Sequence, residues 1–420
     1  MVQDAHPYIY ADNAATTPLS PVALDAMMPY LTSEFGNPSG IHRVASTAAR
    51  ALADAREHMA ALLGAAHPEE MYFTSGGSES DNWILRGAVR RFRDINGPNV
   101  TPRVITSAIE HHAILHCCEA LEREGVGVTY LPVDACGRVQ PADLEQALAH
   151  NENAAGMDSG ATALVSIMLA NNEVGTLEPI ADLARIAHAH GVPFHTDAVQ
   201  AVGHVPVNVA DLAVDALSLS AHKFHGPRGV GALYLREGFS IPPLIAGGAQ
   251  ERGERAGTEN LAGIVGMVAA LQQQVDSLDH VDDGPSQRIA SMRDELIDHI
   301  CASCTDVHPT GDPDRRLPSI ASFTCEGVDG ELLVVLLDRA GVAAATGSAC
   351  STGSTAPSHV LTAMGIDPLR AKGALRLSLA DDITREDLDL LKDRVPAAIE
   401  RARLMSGITG SCARYYASTR

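Results

Sequence analysis

The sequence lacks any apolar run long enough to cross a bilayer. Its longest apolar stretches, such as residues 261–271, fall short of the ~18 residues that a membrane-spanning helix requires. The start, Met-Val-Gln-Asp-Ala-His, also lacks the basic and apolar parts of a secretion signal. We therefore expect a cytoplasmic protein that has no membrane as a partner.

Cysteines and cations are both scarce. The 8 cysteines among 420 residues are too few and too scattered for a disulfide scaffold, and a reducing compartment would leave them as thiols. The formal net charge is −21, from 31 Lys and Arg against 52 Asp and Glu. This acidity argues against nucleic acid as the main partner. No metal site is predicted, because His188 and His190 have helical spacing and no third ligand.

The apolar pattern that is present is typical of an α/β protein. Short β-branched or apolar runs alternate with Ala-rich helical stretches, which predicts a mainly parallel sheet covered by helices on both faces. The sheet should have about seven strands, which begin near Met71, Arg103, Gly127, Thr162, Val192, Val214 and Gly231. Long helices and short strands follow residue 261 and predict a smaller α+β domain. We expect a large domain over residues 16–262 and a small domain formed by residues 1–15 and 263–420.

Lys223 ends the run SAHK at residues 220–223 and follows Asp197 by 26 positions (223 minus 197). Two predicted buried strands, residues 192–196 and 214–219, deliver both side chains to the carboxyl edge of the sheet, where ligands bind. A lysine amine can form a Schiff base with an aldehyde, and a carboxylate can keep a pyridine nitrogen protonated. The pair therefore predicts a site for pyridoxal 5'-phosphate, although each residue alone is typical of a solvated strand end.

A glycine-bearing turn, TSGGSES at residues 74–80, joins a predicted strand to a predicted helix. Glycines let the backbone approach a ligand closely, and free amides at a helix start attract anions. Gly77 and Ser78 are therefore candidate phosphate ligands, and Ser220 and His222 could complete the cradle. The alternative is an ordinary strand-to-helix turn whose serines cap the helix.

Ordered segments along nearly the whole chain carry a family resemblance. They are ADNAATTP at 11–18, GNPS at 36–39, TSGGSESDN at 74–82, EHH at 110–112, NNEVG at 171–175, DAVQ at 197–200, SAHK at 220–223, RGERAGT at 252–258, GSAC at 347–350 and RLS at 376–378. With these segments the chain resembles the cysteine desulfurases, which are pyridoxal-phosphate enzymes of the class V aminotransferase group. The resemblance implies the fold-type I architecture, a homodimer, L-cysteine as substrate and a sulfur-acceptor protein such as an iron-sulfur scaffold as partner.

The resemblance also implies roles for individual residues. His111 would stack on the cofactor ring, and Asn172 and Gln200 would bind near its phenolic oxygen. Thr258 would reach the phosphate of the cofactor in the neighbouring subunit. These roles suit the side chains, because an imidazole can cover a ring and shuttle protons, and amides fix an oxygen without adding charge.

Cys350 lies in GSACSTGST at residues 347–355, a run of small residues that packs little apolar surface. A thiolate there could take sulfur from a cysteine-derived adduct and carry it as a persulfide. The alternative is a buried, unreactive thiol. Arg376, in the apolar strand LRLSL, could grip the substrate α-carboxylate with paired hydrogen bonds, and Asn172 could assist in binding the substrate. Its alternative is a structural ion pair with an acidic residue.

These predictions combine into one hypothesis. Arg376 holds L-cysteine, Lys223 moves the α-proton, His111 handles the thiol proton, and Cys350, on a loop of the small domain, takes the sulfur so that L-alanine is released. The persulfide then passes to an acceptor for iron-sulfur clusters or thiolated tRNA. A selenocysteine lyase and a class V aminotransferase remain as alternatives that would share the cofactor site. A third alternative is a cofactor-bearing protein that acts mainly as a docking partner.

Overall fold

The computed structural model describes residues 8–149, 161–278, 284–347 and 357–406. The strands are β1 (Ile9–Tyr10), β2 (Met71–Thr74), β3 (Pro102–Ser107), β4 (Gly127–Leu131), β5 (Ala161–Ser166), β6 (Phe194–Asp197), β7 (Ala216–Ser220), β8 (Gly231–Leu235), β9 (Val307–Pro309), β10 (Ile320–Cys325), β11 (Val342–Ala343) and β12 (Ala374–Ser378). The helices are α1 (Pro21–Leu31), α2 (Arg43–Leu63), α3 (Gly77–Asn96), α4 (His112–Arg123), α5 (Pro141–Ala149), α6 (Ile180–Ala189), α7 (Val209–Leu212), α8 (Leu261–Leu278), α9 (Pro285–Ser303), α10 (Gly330–Arg339), α11 (His359–Ala363), α12 (Pro368–Ala371) and α13 (Arg385–Ser406).

A central sheet organises the larger part of the chain. Within the described residues it has seven strands in the order β2-β8-β7-β6-β5-β3-β4. The neighbours from β7 to β4 are parallel, whereas β8 runs antiparallel to both β7 and β2. The predicted α/β fold with a mainly parallel sheet is therefore confirmed. Because parallel strands end at the same edge, the carboxyl ends of β2, β3, β5, β6 and β7 meet there.

The strands and helices form where the apolar pattern requires them. All residues of β6 and β7 are buried, as expected for parallel strands covered on both faces. Helix α2 buries Ala48, Met59 and Leu63 on one side and ends at Gly64, whose φ of 69° suits a glycine cap. In the described part of the chain, no helix combines the length and apolarity needed to cross a bilayer.

Buried apolar side chains form two main cores. The first lies on the central sheet, and the second lies around the antiparallel sheet β12-β10-β9 and the parallel pair β1-β11. Helix α8 contributes Ile264, Met267 and Leu271 to the first core, although the predicted boundary assigned residues 263–420 to the small domain. The predicted domain limits stay a prediction.

Candidate active site

A cavity of about 240 Å³ lies at the carboxyl edge of the central sheet. Most of the residues singled out from the sequence line it, namely Gly77, Ser78, His111, Asn172, Asp197, Gln200, Ser220, His222, Lys223 and Arg376. They come from α3, from the ends of β6 and β7, from segments that follow β3 and β5, and from β12. The two parts of the chain thus contribute to one cavity.

Two predicted residues are not part of this lining. Thr258 lies in an exposed segment before α8, outside the cavity of its own chain. Its predicted role in the site of a neighbouring subunit stays a prediction. Cys350 falls in residues 348–356, which lie outside the described residues.

Lys223 is held at both its side chain and its backbone. It ends a short 3-10 turn, Ala221–Lys223, directly after β7. Its Nζ donates hydrogen bonds to the backbone oxygens of Ala14 at 2.6 Å and Ala15 at 2.9 Å. Its own backbone oxygen lies 2.8 Å from Nε2 of His204. The amine therefore has a defined position in the cavity wall.

Two buried carboxyl groups, Asp197 and Asp81, line the same cavity. One Asp197 oxygen accepts a hydrogen bond from the amide of Val199 at 2.9 Å. Asp81 lies 4.0 Å from Nε2 of His195, and among the described residues one of its oxygens has no hydrogen-bond partner. Burial raises the pKa of both carboxyl groups, and the Asp197 charge raises that of Asp81 further. A cation beside this pair would offset the cost of burying the two carboxylates in their charged form.

Asp81 and the Ala14 and Ala15 carbonyls were missed in the sequence analysis, although both segments belong to the resemblance. Asp81 follows Gly77 by four residues on α3, so it lies on the same helix face. That spacing was the available signal. The backbone acceptors have no side-chain signature, so sequence reasoning could not find them.

The start of α3 is suited to an anion. Helix α3 begins at Gly77, and no side chain caps its first turn. A Cβ on Gly77 would lie 2.6 Å from Cγ2 of Val199, so only glycine fits without a shift. Uncapped amides at a helix start attract anions. With Ser78 and Ser220 beside them in the lining, the residues present fit the phosphate of pyridoxal 5'-phosphate, as the buried carboxyl groups fit its protonated ring nitrogen.

The imidazoles in the cavity are neutral at pH 7. Burial, followed by the charge of Lys223, lowers the pKa of His111 and of His222 to about 4. Nδ1 of His111 accepts a hydrogen bond from the amide of Ala113 at 3.2 Å, so the neutral ring carries its proton on Nε2. In this tautomer His111 is a hydrogen-bond donor at Nε2, and its predicted part in handling the thiol proton stays a prediction.

Arg376 is 2% exposed and forms the ion pair that the sequence analysis kept as an alternative. Its Nη2 donates to a carboxylate oxygen of Asp12 at 2.7 Å, and its Nη1 donates to the backbone oxygen of Asn172 at 2.8 Å. Within the part of the chain that the structure describes, the third nitrogen, Nε, has no hydrogen-bond partner. Because Arg376 also lines the cavity, its predicted role toward a substrate carboxylate stays a prediction alongside the ion pair. Asp12 was not singled out from the sequence.

Comparisons with known proteins identify the family of this chain. The model of the aminotransferase class-V family matches residues 9–391. The cysteine desulfurase IscS of Methanosarcina thermophila is 45% identical over 401 residues, which cover 96% of this chain and 94% of that protein. The cysteine desulfurase NifS of Azotobacter vinelandii is 42% identical over 398 residues, covering 95% and 94%.

Solved structures give the same result. A NifS-like protein has a TM-score of 0.83 and 36% sequence identity, and the match covers 94% of this chain and 100% of that one. The structure of SspA in complex with cysteine has a TM-score of 0.74 and 34% identity, covering 88% and 98%.

A parallel sheet with a lysine and a buried aspartate at its carboxyl edge defines a fold-type I, aminotransferase-like protein. The chain belongs to the class-V aminotransferase family and, within it, to the cysteine desulfurases. The predicted resemblance, fold and enzyme class are thus confirmed. Enzymes of this family generally depend on pyridoxal phosphate.

Proposed function

We propose that the protein converts L-cysteine to L-alanine and transfers the sulfur to Cys350 as a persulfide, with pyridoxal 5'-phosphate held in the cavity. The meeting of Lys223, Asp197 and Arg376 in one cavity of a cysteine desulfurase carries this proposal. Bound pyridoxal phosphate would supply an electron sink for the α-carbon of the substrate. A relative solved in complex with cysteine supports L-cysteine as the substrate.

Residues on three sides would hold the cofactor. Lys223 would bind its aldehyde, Asp197 would pair with its ring nitrogen, and the start of α3 at Gly77 and Ser78 would bind its phosphate. His222 and Ser220 would add hydrogen bonds near the phosphate. This arrangement follows from the donor and acceptor chemistry of the lining.

The remaining cofactor contacts concern the ring itself. His111 would cover the ring face with its neutral imidazole, and Asn172 and Gln200 would bind its phenolic oxygen. Gln200 also donates from Nε2 to the backbone oxygen of Ala14 at 2.9 Å, so its amide is fixed in one orientation. Thr258 would contribute from the second subunit of a homodimer.

The substrate would be oriented by Arg376 and deprotonated by Lys223. Arg376 lines the cavity and would bind the α-carboxylate there, while its ion pair with Asp12 fixes the guanidinium plane. Lys223 would carry a proton from the α-carbon, because a lysine amine is a general base in its uncharged form. The carbonyls of Ala14 and Ala15 would hold its Nζ in the cavity.

The sulfur step balances without an external oxidant. The thiolate of Cys350 attacks the substrate sulfur, the carbon–sulfur bond breaks as the sulfur–sulfur bond forms, and the β-carbon becomes a methyl group. The carbon is reduced while the two sulfurs are oxidised, and the proton lost by the Cys350 thiol equals the proton gained by carbon. His111 would orient the exchanging sulfur through a hydrogen bond from Nε2.

The persulfide would then pass to a sulfur-acceptor protein such as an iron-sulfur scaffold or a factor for tRNA thiolation. The curated relatives that carry the names IscS and NifS support an acceptor of this kind. The predicted cytoplasmic location and homodimer belong to the same proposal.

A cysteine assay on the purified protein tests the function. With a thiol reductant, wild type should release sulfide and L-alanine in equal amounts. Cys350→Ala should release neither, while the absorption of the bound cofactor is retained. Cys136→Ala, which removes a partly exposed thiol elsewhere, is the control and should keep both products.

Each alternative predicts another outcome of this assay. Full sulfide release by Cys350→Ala would contradict the role of Cys350. Formation of a keto acid without sulfide would identify an aminotransferase, and turnover of selenocysteine in strong preference to cysteine would identify a selenocysteine lyase. Turnover by the isolated protein with a small thiol acceptor would exclude a mainly docking role.

A further inference from the structure

His225 lies two residues after Lys223 and has a strained backbone. Its φ is 65°, in the left-handed region that few residues other than glycine adopt. Its amide donates to Oγ1 of Thr17 at 2.8 Å, and its backbone oxygen accepts from the amide of Ser20 at 2.9 Å. Strain of this kind persists only where surrounding contacts fix it, and it gathers at functional sites.

Both ring nitrogens of His225 face hydrogen-bond acceptors. Nδ1 lies 3.1 Å from the backbone oxygen of Pro18, and Nε2 lies 3.2 Å from a carboxylate oxygen of Asp381. A carbonyl only accepts, so Nδ1 carries a proton, and the carboxylate 3.2 Å from Nε2 favours a proton on that nitrogen as well. The two contacts therefore favour the charged imidazolium at His225. Asp381 follows β12, so the pair links the turn after Lys223 to the second core.

The groups around the pair favour the same charge state. Burial lowers the pKa of His225, but the hydrogen bond to Asp381 and the Asp381 charge outweigh burial, and the pKa is raised overall. Burial raises the pKa of Asp381, yet the hydrogen bond with His225 and the charges of His204 and His225 leave it lowered. Other groups near the pair or lining the adjoining cleft are Gln274 on α8, Asp382, Asp387 on α13, Tyr8 and Tyr10.

We propose that His225 is a positioning residue whose charged imidazole clamps the turn that carries Lys223. The imidazolium fixes one side of the turn to Pro18 and Asp381, while His204 holds the backbone oxygen of Lys223 on the other side. Loss of the imidazole proton removes one of the two His225 contacts and loosens the turn. The clamp rests on the proposed function in one respect, because that function makes Lys223 the residue that binds the aldehyde of the cofactor.

The pH window follows from the signs of the two shifts. Because the pKa of folded His225 is raised, its stabilisation is fully present below its unfolded pKa of about 6.5 and is lost as the pH rises through the folded pKa. The pKa of Asp381 is lowered, so its contribution is present above the unfolded value of 3.8 and lost as the pH falls through the folded pKa. The clamp is strongest between these limits.

Two variants and one control test the clamp. His225→Asn removes the charge, but asparagine still tolerates the left-handed backbone. Asp381→Asn keeps the imidazole and removes its partner charge. His190→Asn is the control, because it removes a surface pair of an imidazole and a carboxylate, the 2.9 Å contact between His190 and Glu145.

Three measurements test the two clamp variants. NMR titration should place the His225 pKa above about 6.5 in wild type and lower in Asp381→Asn. The melting temperature of His225→Asn should lie roughly 2 °C below wild type near pH 6, with the difference closing as the pH rises. The dissociation constant for pyridoxal phosphate should rise about threefold in both variants, near 0.6 kcal/mol, and stay unchanged in His190→Asn.

Three results would overturn the clamp. They are a His225 signal that titrates at or below the ordinary histidine value, a melting difference that does not vary with pH, and a cofactor affinity that both variants leave unchanged. None of these readouts requires desulfuration. A protein that shows the expected shifts but releases no sulfide would refute the proposed function and leave the clamp standing.

Discussion

Glu110, beside His111, shows how a single residue can hold a proton inside this protein. It is fully buried, and its Oε1 accepts hydrogen bonds from Oγ of Ser107 at 2.5 Å and from the amide of Met168 at 3.0 Å. Its Oε2 has no partner. Burial raises the pKa of Glu110 to about 8, against a partial lowering by its hydrogen bonds. The side chain is therefore a neutral acid at pH 7.

This state makes stability depend on pH in a defined direction. Because the folded pKa lies above the unfolded one, wild type loses stability as the pH rises from about 4.5 to about 8, and not beyond. Glu110→Gln copies the neutral acid and should not show this loss. Its free energy of unfolding should rise relative to wild type by an amount on the order of 3 kcal/mol across that window.

Urea unfolding at about pH 5, 6.5, 8 and 9 would measure the change. These pH values span about two units on each side of neutrality. Glu57→Gln, on the exposed side of α2, is the control and should run parallel to wild type. Parallel curves for Glu110→Gln as well would show that Glu110 is already ionised in the folded protein.

Single residues also mark where sequence reasoning succeeded and where it could not. Lys223 and Asp197 were predictable because each ends an apolar strand, and parallel strands end at a common edge. The partner of Arg376 was not predictable, because Asp12 lies 364 residues away along the chain. Only the folded chain shows that these two charges meet.

At the scale of elements, the start of α3 depends on glycine. A methyl group at position 77 would lie 2.6 Å from Val199, the residue whose amide binds Asp197. Gly77→Ala should therefore cost about 1–3 kcal/mol of stability through overpacking and should weaken pyridoxal phosphate binding roughly tenfold. Because Val199 also contacts Asp197, both the phosphate end and the ring-nitrogen end of the proposed cofactor site would shift.

A double variant separates the clash from other effects. Gly77→Ala combined with Val199→Ala should recover most of the lost affinity, because the second change removes the methyl groups that the first one meets. Val199→Ala alone is the matched control. Spectroscopic titration with pyridoxal phosphate measures all three, and unchanged binding by Gly77→Ala would show that the phosphate does not use this helix start.

The strands of the central sheet were predictable in number, position and mainly parallel direction, whereas the antiparallel direction of β8 was not. A fully buried strand gives a continuous apolar run whether its neighbours are parallel or antiparallel, so the reversal of β8 left no trace in the sequence. The packing of α8 on the first core could not be predicted from the sequence for a similar reason. An apolar helix face does not specify which core it covers.

At the scale of the whole molecule, the cavity lies where the two cores meet through polar contacts. Arg376 of β12 donates a hydrogen bond to the backbone oxygen of Asn172, and Asp381 contacts His225. A site formed by both parts of the chain requires that the two parts keep a fixed position relative to each other. Length and composition suggested two domains, but the identity of the contacts between them follows from tertiary structure alone.

A stretch of exposed apolar residues near the N-terminal part of the chain bears on the proposed homodimer. Large apolar side chains are exposed there in sequence, namely Leu19, Val22, Leu24, Met28, Leu31, Phe35, Ile41 and Val44. Exposed apolar surface on this scale is typical of a protein interface. With Thr258 also exposed outside its own cavity, the proposed second copy of the chain would account for both features.

Ile41→Asp should therefore shift the protein from dimer to monomer in sedimentation experiments, because a buried unpaired charge in an interface opposes association. Leu404→Asp is the matched control, since Leu404 is 77% exposed near the end of α13 and its substitution should leave the mass unchanged.

Thr258→Ala should keep the dimer but weaken pyridoxal phosphate binding, because it removes a phosphate contact that is supplied across the interface. A wild-type monomer that binds the cofactor as tightly as the Thr258→Ala protein would mean that each cavity is complete within its own chain.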